Sequence, residues 1–98
     1  MLVGRNARDN DRITGEMSGR HYWFHADGVP GSHVILQEDR PSAQMVLEAA
    51  KLAAKHSKAA GSVVKVVYAR GVDVQKPKGA SPGTVVCHNP RYITVEFK

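Results

Sequence analysis

The stretch PSAQMVLEAAKLAAKHSKAAG, residues 41–61, carries the clearest secondary-structure signal in the chain. Pro41 suits the first turn of a helix, good helix formers follow it, and Gly61 supplies a stop. The pattern predicts one helix over about residues 41–59. Its apolar face consists largely of small side chains and could lie close against a sheet; the residues of that face are Val46, Leu47, Ala50, Ala53 and Ala54.

Lysines lie on another face of the same predicted helix. Lys51, Lys55 and Lys58 follow one another at steps of four and three residues. This spacing is typical of a solvated face, on which Glu48 can pair with Lys51. We therefore expect these lysines to be ordinary surface residues.

Segments rich in valine and aromatic residues lie on both sides of this helix and predict strands. They are YWFHA (22–26) and HVIL (33–36) before it, and SVVKVVYA (62–69), TVVCH (84–88) and YITVEF (92–97) after it. The short NPR join predicts a tight hairpin between the last two. RNARDNDRITGEM (5–17) suits either a capped short helix or a structured loop. The sequence predicts a single small α+β domain over residues 1–98, with one principal helix packed on a mixed or antiparallel β-sheet.

The composition is that of a globular protein, with 42% hydrophobic and 23% charged residues. Its apolar runs are short and the N-terminus soon turns polar, so we expect neither a membrane span nor a secretory signal, and a cytoplasmic location. The single cysteine, Cys87, cannot form an internal disulfide, whereas small secreted domains usually depend on several.

Charge is distributed unevenly along the chain. Residues 1–48 carry a formal charge of −2, and residues 49–98 carry +7. Such polarity indicates either a surface for a polyanion or a device for solubility, and charge alone does not separate the two.

The stretch WFHADGVPGSH (23–33) sets two histidines at the ends of a turn. Because side chains alternate along a strand, His25 would lie opposite His33 on one face if Phe24 faces Val34. VPGS predicts a type II turn with Gly31 at positive φ. The backbone N–H groups of residues 31–33 could then bind a phosphate, although an ordinary hairpin tip fits the same residues.

Catalysis by His25 and His33 would need one as base and one as acid, and no supporting carboxylate is evident near them in the sequence. No ligand spacing predicts a metal site, and no nucleotide-binding motif is present, so we expect no cofactor. The residues instead favour a binding surface that acts through aromatic stacking and positive charge. Flat side chains and cations set among flexible positions can follow a phosphate backbone; they are Tyr22, Trp23, Tyr92, Arg5, Arg8, Arg12, Lys76 and Lys78.

Several motifs, taken together and in order, resemble the NFACT-R domain, the RNA-binding module of NFACT proteins, in a stand-alone form. They are VGRNARDND, WFHADGVPGSHVIL, EAAKLAAKHSKA, VKVVYA, VQKPKGASPGTVV and ITVEF, and they cover nearly all of the chain. Two positions depart from the family pattern: His21 stands where an acidic residue is usual, and Ala60 where an arginine is usual.

The resemblance implies contact with RNA. NFACT proteins act in ribosome-associated quality control, where they bind the obstructed large ribosomal subunit and recruit tRNA to extend the stalled chain. Their other domains have no counterpart in this sequence, so we expect a partner protein to supply them and do not expect tail extension by this chain alone. Stand-alone copies have been associated with tRNA modification, and related eukaryotic modules with DNA.

We therefore predict a module that is non-catalytic and binds tRNA or rRNA. Its predicted contact residues are Arg5, Asn6, Arg8, Asn10, Trp23, His25, Gly31, Ser32, His33, Lys76 and Lys78. Two alternatives stay open: an RNA-processing or RNA-modifying enzyme that uses His25 and His33, and an adaptor that binds protein.

Overall fold

The computed structural model describes residues 1–97, which form seven strands and two α-helices. The strands are β1 (Leu2–Val3), β2 (Tyr22–Ala26), β3 (Val34–Leu36), β4 (Val63–Arg70), β5 (Val74–Gln75), β6 (Val86–Cys87) and β7 (Arg91–Glu96). The helices are α1 (Ala7–Glu16) and α2 (Ala43–Lys55), and a 3₁₀ turn covers Gly71–Asp73. Five strands make an antiparallel sheet in the order β1-β3-β2-β4-β7, and β5 pairs with β6 separately. The predicted α+β class is confirmed.

Helix α2 covers one face of the large sheet. Its buried residues are all alanines, at positions 49, 50, 53 and 54. Their small side chains let the helix backbone approach Phe24, Val66 and Val95, which point from β2, β4 and β7 into the same core. Of the predicted face, Ala50, Ala53 and Ala54 are buried and Val46 packs against this core, whereas Leu47 does not; Ala49 and Leu52 join the face without having been predicted.

The opposite face of the sheet carries a smaller core. Trp23, Ile35 and Val67 pack there against Ile13 of α1 and against side chains of the β5–β6 pair. The segment that suited either a helix or a loop is therefore helical over residues 7–16. Asn6 caps that helix, because its side-chain oxygen accepts a hydrogen bond from the Asp9 N–H at 2.9 Å.

Helix α2 is shorter than the sequence predicts. Ser42 caps its start by accepting a hydrogen bond from the Met45 N–H at 3.2 Å. The helix ends at Lys55 because the following residues turn to pair elsewhere, with Ser57 forming a β-bridge to Gly31. A tertiary contact, rather than Gly61, thus ends the helix.

The predicted hairpin across NPR is wrong. β6 pairs with β5, and β7 pairs with β4 through contacts such as Val66↔Ile93. Ile93 and Val95 face α2 and complete its core, whereas Cys87 packs against the smaller core on the other side of the sheet. β6 and β7 do not pair because Ile93 and Val95 of β7 pack under α2, whereas Cys87 of β6 packs on the opposite face of the sheet.

None of the helices within residues 1–97 is both long and apolar enough to cross a membrane.

Candidate nucleic-acid interface

Four segments that are distant in sequence meet around a groove of about 650 Å³. They are the loop that leads into α1, the turn before β3, the end of α2 and the loop before β6, and His25 of β2 lies between them. The lining residues are Arg5, Asn6, Ala7, Asn10, His25, Pro30, Gly31, Ser32, His33, Lys55, His56, Ser57, Lys58, Pro82, Gly83 and Thr84.

The charges of this groove all have one sign. Among the described residues, Arg5, Lys55 and Lys58 supply three cations, and no Asp or Glu lines the groove. Within residues 1–97, neither lysine forms an ion pair. Arg5 lies 3.4 Å from Asp9, but its side chain is 82% exposed. The groove therefore offers cations with little internal compensation to an anionic ligand.

The end of α2 is clasped to the turn before β3, and this clasp places the two lysines. The Ser32 N–H donates to the His56 carbonyl, and the Lys58 N–H donates to the Pro30 carbonyl, both at 2.9 Å. A Cβ on Gly31 would lie 2.8 Å from the Ser57 Cα, so only glycine allows this approach. The backbone thus positions Lys55 and Lys58 beside the turn.

The predicted type II turn with amides free for a phosphate is wrong. In this loop Gly28 has the positive φ, 74°, and Gly31 does not. The Ser32 N–H bonds to the end of α2, and the His33 N–H donates to the Asn10 side-chain oxygen at 2.9 Å. The N–H groups of residues 32 and 33 are therefore already hydrogen-bonded within the protein and are not free to bind a phosphate.

Asn10 holds the turn against α1. Besides accepting from His33, its side-chain N–H₂ donates to the Gly31 carbonyl at 3.3 Å. The Gly4 N–H donates to the His33 carbonyl at 2.9 Å, and a Cβ on Gly4 would lie 1.8 Å from the Asn10 Oδ1. Asn10 is only 6% exposed, so its part in the groove is to position the backbone.

The start of α1 is built on Asp9. This carboxylate accepts from the Arg5 N–H at 2.9 Å and from the Arg12 guanidinium at 2.7 Å. These bonds, that of the Arg5 N–H first, lower the pKa of Asp9 to about 2. The loop that carries Arg5 is fixed in this way at the rim of the groove. Arg8 is exposed but lies outside the groove lining.

The two histidines lie on one face, as predicted, because Phe24 pairs with Val34. Their ring centroids are 5.2 Å apart and edge to face, and the Trp23 ring stacks on His25 at 5.9 Å. His33 is buried, with its Nδ1 2.9 Å from the Thr14 hydroxyl, whereas His25 is partly exposed at the groove. Trp23 is 4% exposed, so it supports His25 from beneath.

Burial favours the neutral form of both imidazoles. Burial lowers the pKa of His33 to about 4, helped by the proximity of His25, and burial also lowers the pKa of His25. Within residues 1–97, no carboxylate oxygen hydrogen-bonds either ring, and no cluster of His, Cys, Asp and Glu is suited to a metal ion. Neutral His25 can donate or accept a hydrogen bond at the groove.

The loop before β6 is fastened to α1 by Asp11. Its carboxylate accepts from the Gly83 N–H at 2.8 Å and from the Lys76 ammonium at 3.1 Å, and both lower its pKa. Lys76 also donates to the Ser81 carbonyl at 2.8 Å. Lys76 is thus hydrogen-bonded to groups of the protein itself. The loop before β6 lines the groove through residues 82–84. Lys78 is exposed and lies outside the groove lining.

The structure therefore brings together most of the predicted contact residues. Those that line the groove are Arg5, Asn6, Asn10, His25, Gly31, Ser32 and His33; Arg8, Trp23, Lys76 and Lys78 do not. Sequence reasoning missed Lys55 and Lys58, whose spacing fits a solvated face. The sequence feature that could have indicated these two lysines was their position around the end of the helix. The clasp between Gly31 and Ser57 brings that end of the helix to the groove.

The family model of the NFACT protein RNA binding domain matches residues 1–89. The chain belongs to this family. The resemblance stated from the motifs is thereby confirmed, and every residue that lines the groove falls within the matched segment of this NFACT RNA-binding domain.

Curated relatives include proteins named Rqc2 homolog RqcH. This NFACT RNA-binding domain is 42% identical to that of Bacillus subtilis (strain 168) over 97 residues, and 38% identical to that of Streptococcus suis (strain 05ZYH33) over 98 residues. Each alignment covers 97% of this chain but only 17% and 18% of the respective relative. The chain thus spans less than a fifth of the length of these relatives.

The fold also matches a solved structure, that of the C-terminal part of the fibronectin/fibrinogen-binding protein from Streptococcus suis. The TM-score is 0.90 at 37% sequence identity, and the match covers 97% of this chain and 39% of that chain.

Proposed function

We propose that this NFACT RNA-binding domain binds structured RNA, either tRNA or rRNA, without catalysing a reaction, in ribosome-associated quality control. The family description names RNA binding, and the curated relatives are named as Rqc2 homologs. One observation of the structure carries the proposal: the described part of the groove lining holds three cations and no Asp or Glu, in a chain with nine acidic residues.

Phosphates are the groups that this groove suits best. Arg5, Lys55 and Lys58 can each neutralise a phosphate, and the release of condensed counterions then favours binding. The groove wall includes the backbone of Gly31, which can lie against Ser57 because glycine has no side chain. Neutral His25 can hydrogen-bond a 2′-hydroxyl or a base edge beside these phosphates.

The other predicted residues act around this contact. Asn10, Trp23 and His33 hold the groove in shape, as their burial and hydrogen bonds support. Exposed Arg8 and Lys78 lie outside the groove and contribute to long-range attraction of a polyanion. Because the chain spans under a fifth of its curated relatives, we propose that action on a large ribosomal subunit also uses NFACT domains other than this one.

Photo-crosslinking of the purified domain to total tRNA and to ribosomal RNA tests this proposal. Crosslinked peptides should contain residues 4–10, 30–33, 55–58 or 82–84, and the RNA should be recovered chemically intact. An absence of RNA binding at low salt, or crosslinks confined to the exposed face of α2, would overturn it. Turnover of the RNA that His25→Ala abolishes would instead support an enzyme.

A further inference from the structure

Tyr92 is the most exposed of the three aromatic residues considered for stacking. Its side chain is 51% exposed, whereas Tyr22 is 9% and Trp23 is 4% exposed. Tyr92 lies on β7, the edge strand of the large sheet, beyond the segment 1–89 that the family model matches. It also lies outside the groove lining.

The strand register places Tyr92 on the same face as His25. His25 pairs with Val67 on β4, and Val67 pairs with Tyr92 on β7. Directly paired residues share a face, and neighbouring strands lie about 4.8 Å apart, so the backbones at His25 and Tyr92 are about 10 Å apart. Strand β4 thus lies between His25 at the groove and the aromatic ring of Tyr92.

An exposed strip joins the two positions. Asp27 and Lys65 are 43% and 59% exposed, and their charged groups are 4.0 Å apart. The Lys65 ammonium lies 4.4 Å from the centroid of the Tyr92 ring, a cation–π contact, and Tyr92 is 51% exposed beside it. Because Asp27 offsets Lys65, the strip favours stacking more than the capture of phosphates.

We infer that Tyr92 is a stacking position for an unpaired base of the bound RNA, whose neighbouring phosphates lie in the groove. This inference rests on the proposed function and adds the class of ligand, an unpaired segment. Bases inside a duplex are already stacked on one another, so a protein ring can stack only on a base that is free of its neighbours. The cations of the groove, together with an exposed aromatic ring on the same face of the sheet as His25, favour a polyanion with flat bases over a peptide.

Fluorescence anisotropy with a short labelled oligoadenylate tests the inference. Tyr92→Leu should weaken binding about 5- to 150-fold, the range for loss of one base–aromatic stack. Tyr92→Phe, the matched control, keeps the ring and should bind like the wild type. The same oligonucleotide made abasic should bind all three proteins alike, because its phosphates stay and its bases do not. Thermal unfolding checks that the leucine variant is folded.

The outcomes separate this inference from the proposed function. Equal affinity of Tyr92→Leu and wild type for oligoadenylate overturns the stacking position, while a loss of affinity in a groove variant such as Lys55→Gln would still support the groove. An equal loss on the abasic oligonucleotide also overturns it, because the tyrosine would then act on the backbone. If the wild type binds no RNA at low salt, both proposals fail.

Discussion

Neutralising the two lysines at the end of α2 should reduce RNA affinity in a way that depends on salt. The groove has three cations, Arg5, Lys55 and Lys58. With about 0.7 to 0.9 counterions released per neutralised phosphate, three contacts give a log-log salt slope of about −2 to −3. The variant Lys55→Gln/Lys58→Gln keeps one cation, so its slope should be about −1.

The slopes also set the expected loss of affinity. If the two proteins differ by two phosphate contacts and converge near 1 M salt, the variant should bind on the order of 30-fold more weakly at 0.1 M salt and about 6-fold more weakly at 0.3 M. Anisotropy titrations of labelled tRNA at several salt concentrations measure both numbers. Circular dichroism should show an unchanged fold, because both lysine side chains are exposed.

The control removes the same net charge elsewhere. Lys51→Gln/Lys78→Gln alters two exposed lysines outside the groove, and its affinity should change less than about threefold because distant charges are screened within about 10 Å at 0.1 M salt. Equal losses in the two double variants would refute the reasoning, since net charge and not the groove would then determine binding. An unchanged slope in Lys55→Gln/Lys58→Gln would refute it as well.

Three further predictions concern the framework of the groove and are measured by chemical denaturation. Asn10→Ala should lower the free energy of unfolding by about 2–3 kcal/mol, because it strands the buried His33 N–H, whereas Gln44→Ala on the exposed side of α2 should cost less than about 0.5 kcal/mol; equal effects would contradict the buried bond. Gly31→Ala should cost about 1–3 kcal/mol because its Cβ meets the Ser57 backbone, while Gly15→Ala, with open space around it, should be neutral or stabilising by up to about 1 kcal/mol; a harmless Gly31→Ala would disprove the close approach. His33 should make the free energy of unfolding depend on pH, because its folded pKa of about 4 lies below the unfolded value of about 6.5. The contribution of its neutral ring is fully present above pH 6.5, and about 3 kcal/mol of the free energy of unfolding should be lost between pH 7 and pH 4. His33→Asn should lack this part of the pH dependence, and the same acid sensitivity in that variant would exclude His33 as its source.

The local parts of the fold could be predicted from the sequence. β2 runs over the predicted residues 22–26, and the conditional register of Phe24 with Val34 is correct. Helix α2 was recognised from propensity and periodicity, and Ala50, Ala53 and Ala54 are buried as expected. These features follow from residues close together in the chain, where propensity and alternation act directly.

The features that the sequence did not predict all involve contacts between distant residues. The pairing of β7 with β4 rather than β6 depends on which core buries Ile93 and Val95. Lys76 looked free in a flexible loop, but its partner Asp11 lies 65 residues away. Lys55 and Lys58 looked like solvated surface residues until the bridge between Gly31 and Ser57 brought them to the groove. Spacing along a chain carries no information on such partners.

The clasp between Gly31 and Ser57 also restricts how α2 can vary in length. One residue inserted before Lys55 would turn everything after it by about 100° and advance it by about 1.5 Å. Ser57 would then miss Gly31, and the two lysines would swing away from the groove. Exposed side chains of this helix can therefore be replaced with little effect. Its number of residues cannot change, because Ser57 must meet Gly31 in the turn before β3.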